Sequence, residues 1–159
     1  MNVKYWPVLL LGFLPLWAQA LEVGERLAPW TLLDQYDQAF TLDNQTKTQT
    51  LLVARSMDAA KLVEAALQGQ PKGYLEARHV VFLADIQRMP RLIAKMVAIP
   101  AMRDYSYRVM LDREGRVAPR YPGAEDKVLW LQLKDGQLLA QHEYATAAQL
   151  HEALEKARP

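Results

Sequence analysis

Two short, almost unbroken apolar runs dominate the middle of the chain: Thr50-Leu51-Leu52-Val53-Ala54-Arg55 and His79-Val80-Val81-Phe82-Leu83-Ala84-Asp85-Ile86. Apolar runs of this length without polar alternation suit strands covered on both faces, the setting of parallel strands in α/β folds. Between them Leu62, Val63, Ala66 and Leu67 recur at helical spacing, with Lys61, Glu64 and Gln68 on the other side. Gly69, with Pro71 beyond it, is a stop signal, so a helix is predicted from Ser56 or Asp58 to Gly69. A second unit follows. Pro90 stands near a helix start, and Leu92, Ile93, Met96 and Val97 share one helical face, where Met96 is expected to be core filler. Residues 107–112 give a third strand. This βαβα order defines an α/β architecture.

The remaining segments are shorter. Phe40-Thr41-Leu42 is β-rich, Arg113-Glu114-Gly115 is a turn, and Tyr121-Pro122-Gly123 is a loop. Residues 128–133 and 138–142 flank Lys134-Asp135-Gly136-Gln137, and Asp-Gly between apolar runs predicts an antiparallel hairpin. Thr146 and Gln149 form a capping box ahead of a closing helix whose face is Leu150, Ala153, Leu154 and Ala157.

Residues 1–20 carry Lys4, an apolar stretch from Val8 to Trp17, and the small-residue pattern Ala18-Gln19-Ala20. They are expected to be a secretory signal peptide cleaved after Ala20, leaving residues 21–159 as one periplasmic or secreted domain with no transmembrane anchor. Without Lys4 the basic residues number 18, matching the 18 acidic ones, so nucleic acid is not an expected partner.

The chain has no Cys. Thiol nucleophiles, disulfide exchange and thiolate metal sites are therefore closed to it.

Against that absence stands a resemblance. Gly24, Ala28-Pro29, Leu32, Asp34-Gln35, Gln38 and Thr41-Leu42 resemble the opening pattern of the thioredoxin-like superfamily, in its peroxiredoxin and exported thiol-disulfide oxidoreductase branch. The later 109–112, Tyr121-Pro122 and Lys134-Asp135-Gly136 are similar to that branch's closing half. The resemblance implies a three-layer α/β/α sandwich with a mixed central sheet, a C-terminal antiparallel hairpin and a closing helix. It also implies a redox turn at the start of the first long helix, where a reactive Cys would sit. Here the turn reads Ser56-Met57-Asp58-Ala59-Ala60-Lys61, in which neither Met57 nor Ala60 supplies a thiolate. The superfamily's cis-proline would fall near Lys127-Val128, where there is no Pro, and a trans connection is expected because a non-proline cis bond costs about 2.5–4 kcal/mol.

Ser56, Met57, Asp58, Ala60 and Lys61 are then a former redox turn with a possible role in ligand contact, and no catalytic residue is assigned. Ser56 needs a base to act as a nucleophile. His79, His142 and His151 fall at a strand start, a hairpin end and a solvent-facing helix position, and Asp58 is expected to cap the helix. Met57, Met89, Met96, Met102 and Met110 do not form a legible copper set, so no metal is expected. No cofactor is expected either, since no G-x-G-x-x-G follows a strand.

The positive signal is a basic stripe. Arg88, Arg91, Lys95, Arg103 and Arg108 stand against the single acid Asp104, and the spacing of the first three places them on one helical face. An anionic partner would dock there. Two functions are compatible with this reading: an exported non-redox binding or accessory module holding a protein, peptide or small ligand, or an enzyme of hydrolytic or cofactor-assisted chemistry centred on the Ser56 to Lys61 turn.

Overall fold

A computed structural model describes residues 21–159. The expected signal peptide, residues 1–20, lies outside the described residues. Among them no helix is long and apolar enough to cross a membrane.

A small antiparallel hairpin comes first, β1 (Trp30–Leu33) with β2 (Ala39–Leu42). Then follow β3 (Thr50–Ala54), α1 (Met57–Ala66) and β4 (Val80–Asp85). α2 (Arg91–Ile93), a π turn (Ala94–Ala98) and α3 (Ile99–Met102) run on as one helix over 91–102. The chain closes with β5 (Met110–Asp112), β6 (Val128–Lys134), β7 (Gln137–Tyr144) and α4 (Ala147–Lys156).

The main sheet has the order β5-β4-β3-β6-β7. β3, β4 and β5 are parallel, while β6 and β7 are antiparallel to their neighbours. All five residues of β3 are buried, which is why its sequence is an unbroken apolar run. Leu52 and Ala54 point to one face and Leu51 and Val53 to the other, and two separate cores result. On the first face Leu52, Phe82 and Trp130 meet α1, α4 and the 91–102 helix. On the second, Leu51, Val53 and Leu83 meet Trp30, Leu42 and Tyr121.

The sheet is thus the middle of three layers, with α1, α4 and the 91–102 helix on the first face and the β1–β2 hairpin and the 3-10 turn Ala118–Arg120 on the second. Sheet order explains this. The crossovers β3→β4 and β4→β5 step in the same direction across the sheet, and right-handed crossovers then place both helical segments on one face.

The hairpin forms as its Asp-Gly pair requires. Asp135 and Gly136 adopt φ of 51° and 79°, the two left-handed positions of a tight hairpin turn. A side chain at Gly136 would also press on the Asp43 carbonyl, 3.0 Å from where its Cβ would stand. Leu139 is the extra residue at the register shift between Gln132 and Leu133, and it is left exposed.

One expectation fails. Leu92, Ile93, Met96 and Val97 share a face, but it points to solvent, with Leu92 and Met96 at 70% and 66% exposure. The π turn is the reason. The Ile99 N–H bonds the Ala94 carbonyl five residues back, so Ala94 and Ile99 lie on the same side, and these two reach the core. The four larger apolar side chains are carried outward. Met96→Ala should therefore shift stability by less than about 0.5 kcal/mol, against about 2–5 kcal/mol for a core Met. A urea titration distinguishes the two.

Candidate functional site

The turn after β3 is organised by Ser56, the N-cap of α1. Its Oγ accepts the Ala59 N–H at 3.1 Å and donates to the Glu125 carbonyl. The capping expected of Asp58 thus belongs to Ser56. Asp58 sits exposed in the first turn, where its charge complements the helix dipole. Met57 is 58% exposed at the junction of strand and helix. Ala60 packs half-buried against the helix-side core, and Lys61 lies exposed beside Glu64 and Tyr105. Ser56→Ala removes the cap and should cost about 1 kcal/mol, read as a lowered Tm.

The three histidines do not converge on Ser56. His79 stands at the N-terminal end of β4, parallel to β3, whereas Ser56 follows the C-terminal end of β3. His142 is paired with Trp130 on the edge strand β7. His151 is only half exposed, because its Nδ1 lies 3.0 Å from the Ala66 carbonyl oxygen. That is the far end of α1, roughly 15 Å from Ser56 at the helical rise per residue. The Ser56 hydroxyl is held at both its donor and its acceptor side, by the Glu125 carbonyl and the Ala59 N–H.

The loop before β6 closes over this turn. The Arg55 guanidinium donates to the Gly123 carbonyl at 3.2 Å, and Arg88 grips the Glu125 carboxylate with two nitrogens, at 2.8 and 3.3 Å. The bidentate Arg88 contact holds the Glu125 carboxyl below the ordinary carboxylate range. Glu125 was not visible as a site residue in the sequence, since it lies 37 positions from Arg88 and no local spacing joins them. All peptide bonds of the described residues are trans, including the connection at Lys127-Val128.

The basic stripe divides into separate roles. Arg88 clamps Glu125. Arg108 is absorbed by the fold: its Nε donates to the Asp34 carboxylate at 2.7 Å, and that carboxylate is fully buried. Arg103 donates from Nε to the Gln35 carbonyl at 2.8 Å and reaches Asp37 at 3.9 Å. Arg91 and Lys95 alone have no carboxylate at ion-pair distance among the described residues. Of the five cations of the stripe, Arg91 and Lys95 are thus the two without a carboxylate partner among the described residues, and Arg103 stands beside them.

Those three border one cavity of about 450 Å³. Ile86, Met89, Ala94 and Ile99 supply apolar wall, and Asp37, Arg113 and Glu114 complete the rim. The cavity lies where the chain leaves β4 and β5, and it includes none of the residues from Ser56 to Lys61. Asp37, Arg113 and Glu114 carried no sequence signal as a group, because 76 residues separate Asp37 from Arg113.

Asp34 and Gln35, noticed in the sequence only through the resemblance, hold this region together. Asp34 accepts the N–H groups of Tyr36 and Gln38 at 2.8 and 2.9 Å. The Gln35 side chain, fully buried, donates to the Tyr107 carbonyl at 2.7 Å and accepts the Val109 N–H at 2.9 Å. The hairpin turn is in this way bonded to the segment between the 91–102 helix and β5.

No family model matches the chain, and no curated protein matches it in sequence. Solved structures do. A protein assigned as the thiol:disulfide interchange protein DsbE from Chlorobium tepidum superposes with a TM-score of 0.57 at 18% identity, over 87% of this chain and 96% of that one. Peroxidoxin BcpB from Mycobacterium tuberculosis gives 0.56 at 14% identity, over 87% and 99%. The thioredoxin domain of a thiol-disulfide oxidoreductase from Bacteroides vulgatus gives 0.54 at 14% identity, over 86% and 98%. The chain has a thioredoxin-like fold. At these identities the likeness carries the fold alone.

Proposed function

We propose that the chain is an exported thioredoxin-like binding or accessory protein that carries out no thiol chemistry and holds a protein, a peptide or a small ligand on the face built around the 91–102 helix. The observation that supports it most directly is the outward strip of Leu92, Ile93, Met96 and Val97, bordered by Arg91 and Lys95. Neighbouring large apolar side chains on a helix surface, rimmed by charge, are the mark of an interaction site. The proteins of like fold are named for thiol-disulfide or peroxide chemistry; this chain has no sulfhydryl with which to perform it.

Crosslinking in the exported fraction tests the reading. The wild-type protein should capture a discrete partner, and the double variant L92E/M96E should lose it while keeping its circular dichroism spectrum and Tm. Capture that persists in the variant, or turnover of hydroperoxide or a disulfide substrate by pure protein, would end the proposal. Export itself is read separately: the mature N-terminus should be Leu21.

A further inference from the structure

We propose that the cavity beside the 91–102 helix is a binding site for a small organic carboxylate with an apolar body. This rests on the proposal that the chain is a binding protein, and it names the ligand class of one part of that face.

Charge around the rim selects an anion. Asp37 is already paired with Arg113 at 3.2 Å and approached by Arg103 at 3.9 Å, and Glu114 is paired with Arg116 at 3.4 Å. Both rim acids are thus satisfied, and Arg91 and Lys95 are left as two cations without an acidic partner among the described residues. They stand four residues apart, one turn of the same helix, so one anionic group can lie between them. An Arg fork beside a Lys point charge suits a carboxylate, which takes two parallel N–H bonds from the guanidinium and a third from the ammonium.

The wall selects the rest of the ligand. Ile86, Ala94 and Ile99 are buried side chains of the helix-side core whose edges line the cavity, with Met89 beside them. An apolar body covering these atoms gains from leaving water, whereas a small, strongly hydrated ion such as inorganic phosphate gains nothing from them. The volume of about 450 Å³ lies within the range of small-molecule sites. The cavity opens just beyond the carboxyl ends of the neighbouring parallel strands β4 and β5.

Isothermal titration of the mature protein with octanoate tests this, with octan-1-ol as the neutral probe of the same shape. Saturable one-site binding of octanoate is expected, at least tenfold tighter than octan-1-ol and at least tenfold weakened in both R91E/K95E and the milder R91Q/K95Q. Methyl resonances of Ile86 and Ile99 should shift on addition. No saturable binding, equal affinity for the alcohol, unchanged affinity in the charge variants, or shifts confined to other residues would each overturn the assignment. Because these variants leave Leu92 and Met96 in place, failure of octanoate binding with partner capture by the wild-type protein intact sinks the carboxylate site alone, and capture that persists in L92E/M96E while octanoate still binds sinks the docking strip alone.

Discussion

Replacing Asp112 by Ala is expected to lower stability by about 3–5 kcal/mol, a large share of what holds a domain of this size folded. Asp112 ends β5 with its side chain fully buried. One carboxylate oxygen accepts the Arg116 N–H at 3.0 Å, and the other accepts the N–H groups of Val117 and Ala118, each at 2.8 Å. Removing it strands these three donors, two of them buried, and an unsatisfied buried polar group costs about 1–3 kcal/mol. The loss spreads, because Val117 and Ala118 belong to the core on the second face and Arg113 and Glu114 border the cavity. Asp112→Asn keeps one acceptor oxygen and should fall between wild type and Ala. A urea midpoint for Asp112→Ala within 1 kcal/mol of wild type would show that the loop is held by something else.

Arg108→Ala is expected to cost about 2–4 kcal/mol, since it leaves the Asp34 carboxylate buried without its cation. The lower half of that range is the better expectation, because the Arg108 side chain is one-third exposed and water can replace part of its contact. Asp34 also sets a pH dependence. Burial alone pushes its carboxyl up, but the Gln38 and Tyr36 N–H groups and Arg108 together outweigh that and hold it below the ordinary 3.8. A carboxyl depressed in the folded state adds stability that is fully present above its unfolded value. That contribution disappears as pH falls from about 3.8 through the lower folded value. Asp34→Asn should flatten the fall in unfolding free energy below pH 4 while leaving the slope above pH 5 unchanged. An identical acid limb in the variant would remove Asp34 as its source.

The core strands were legible because their burial on both faces leaves no polar alternation, so the runs at 50–54 and 80–85 show themselves without knowledge of their partners. The hairpin at Asp135-Gly136 and the cap at Thr146 were legible for a different reason. Each depends on residues within three or four positions of one another, and local chemistry decides them. The outer face of the 91–102 helix was not legible. Its spacing of apolar residues is what a buried amphipathic helix would show, and only the π turn, which follows from how Ala94 and Ile99 seat on the sheet, turns it outward.

The candidate site shows the same division. The turn from Ser56 to Lys61 is contiguous and was found in the sequence, whereas its closure depends on Glu125 meeting Arg88 across the sheet. The five cations of the stripe look alike on paper. Tertiary structure gives Arg108 to Asp34 and Arg88 to Glu125, and leaves Arg91 and Lys95 free of acids among the described residues.

By itself the sequence determined the order of strands and helices, the local turns and caps, and the absence of any sulfhydryl, because these are properties of residues and their near neighbours. Which charges pair, which apolar face meets water and where a cavity opens were decided only by folding. The charge pairs join groups 37 to 76 residues apart that the fold brings within a few ångströms, and the outer face of the 91–102 helix follows from how Ala94 and Ile99 seat on the sheet.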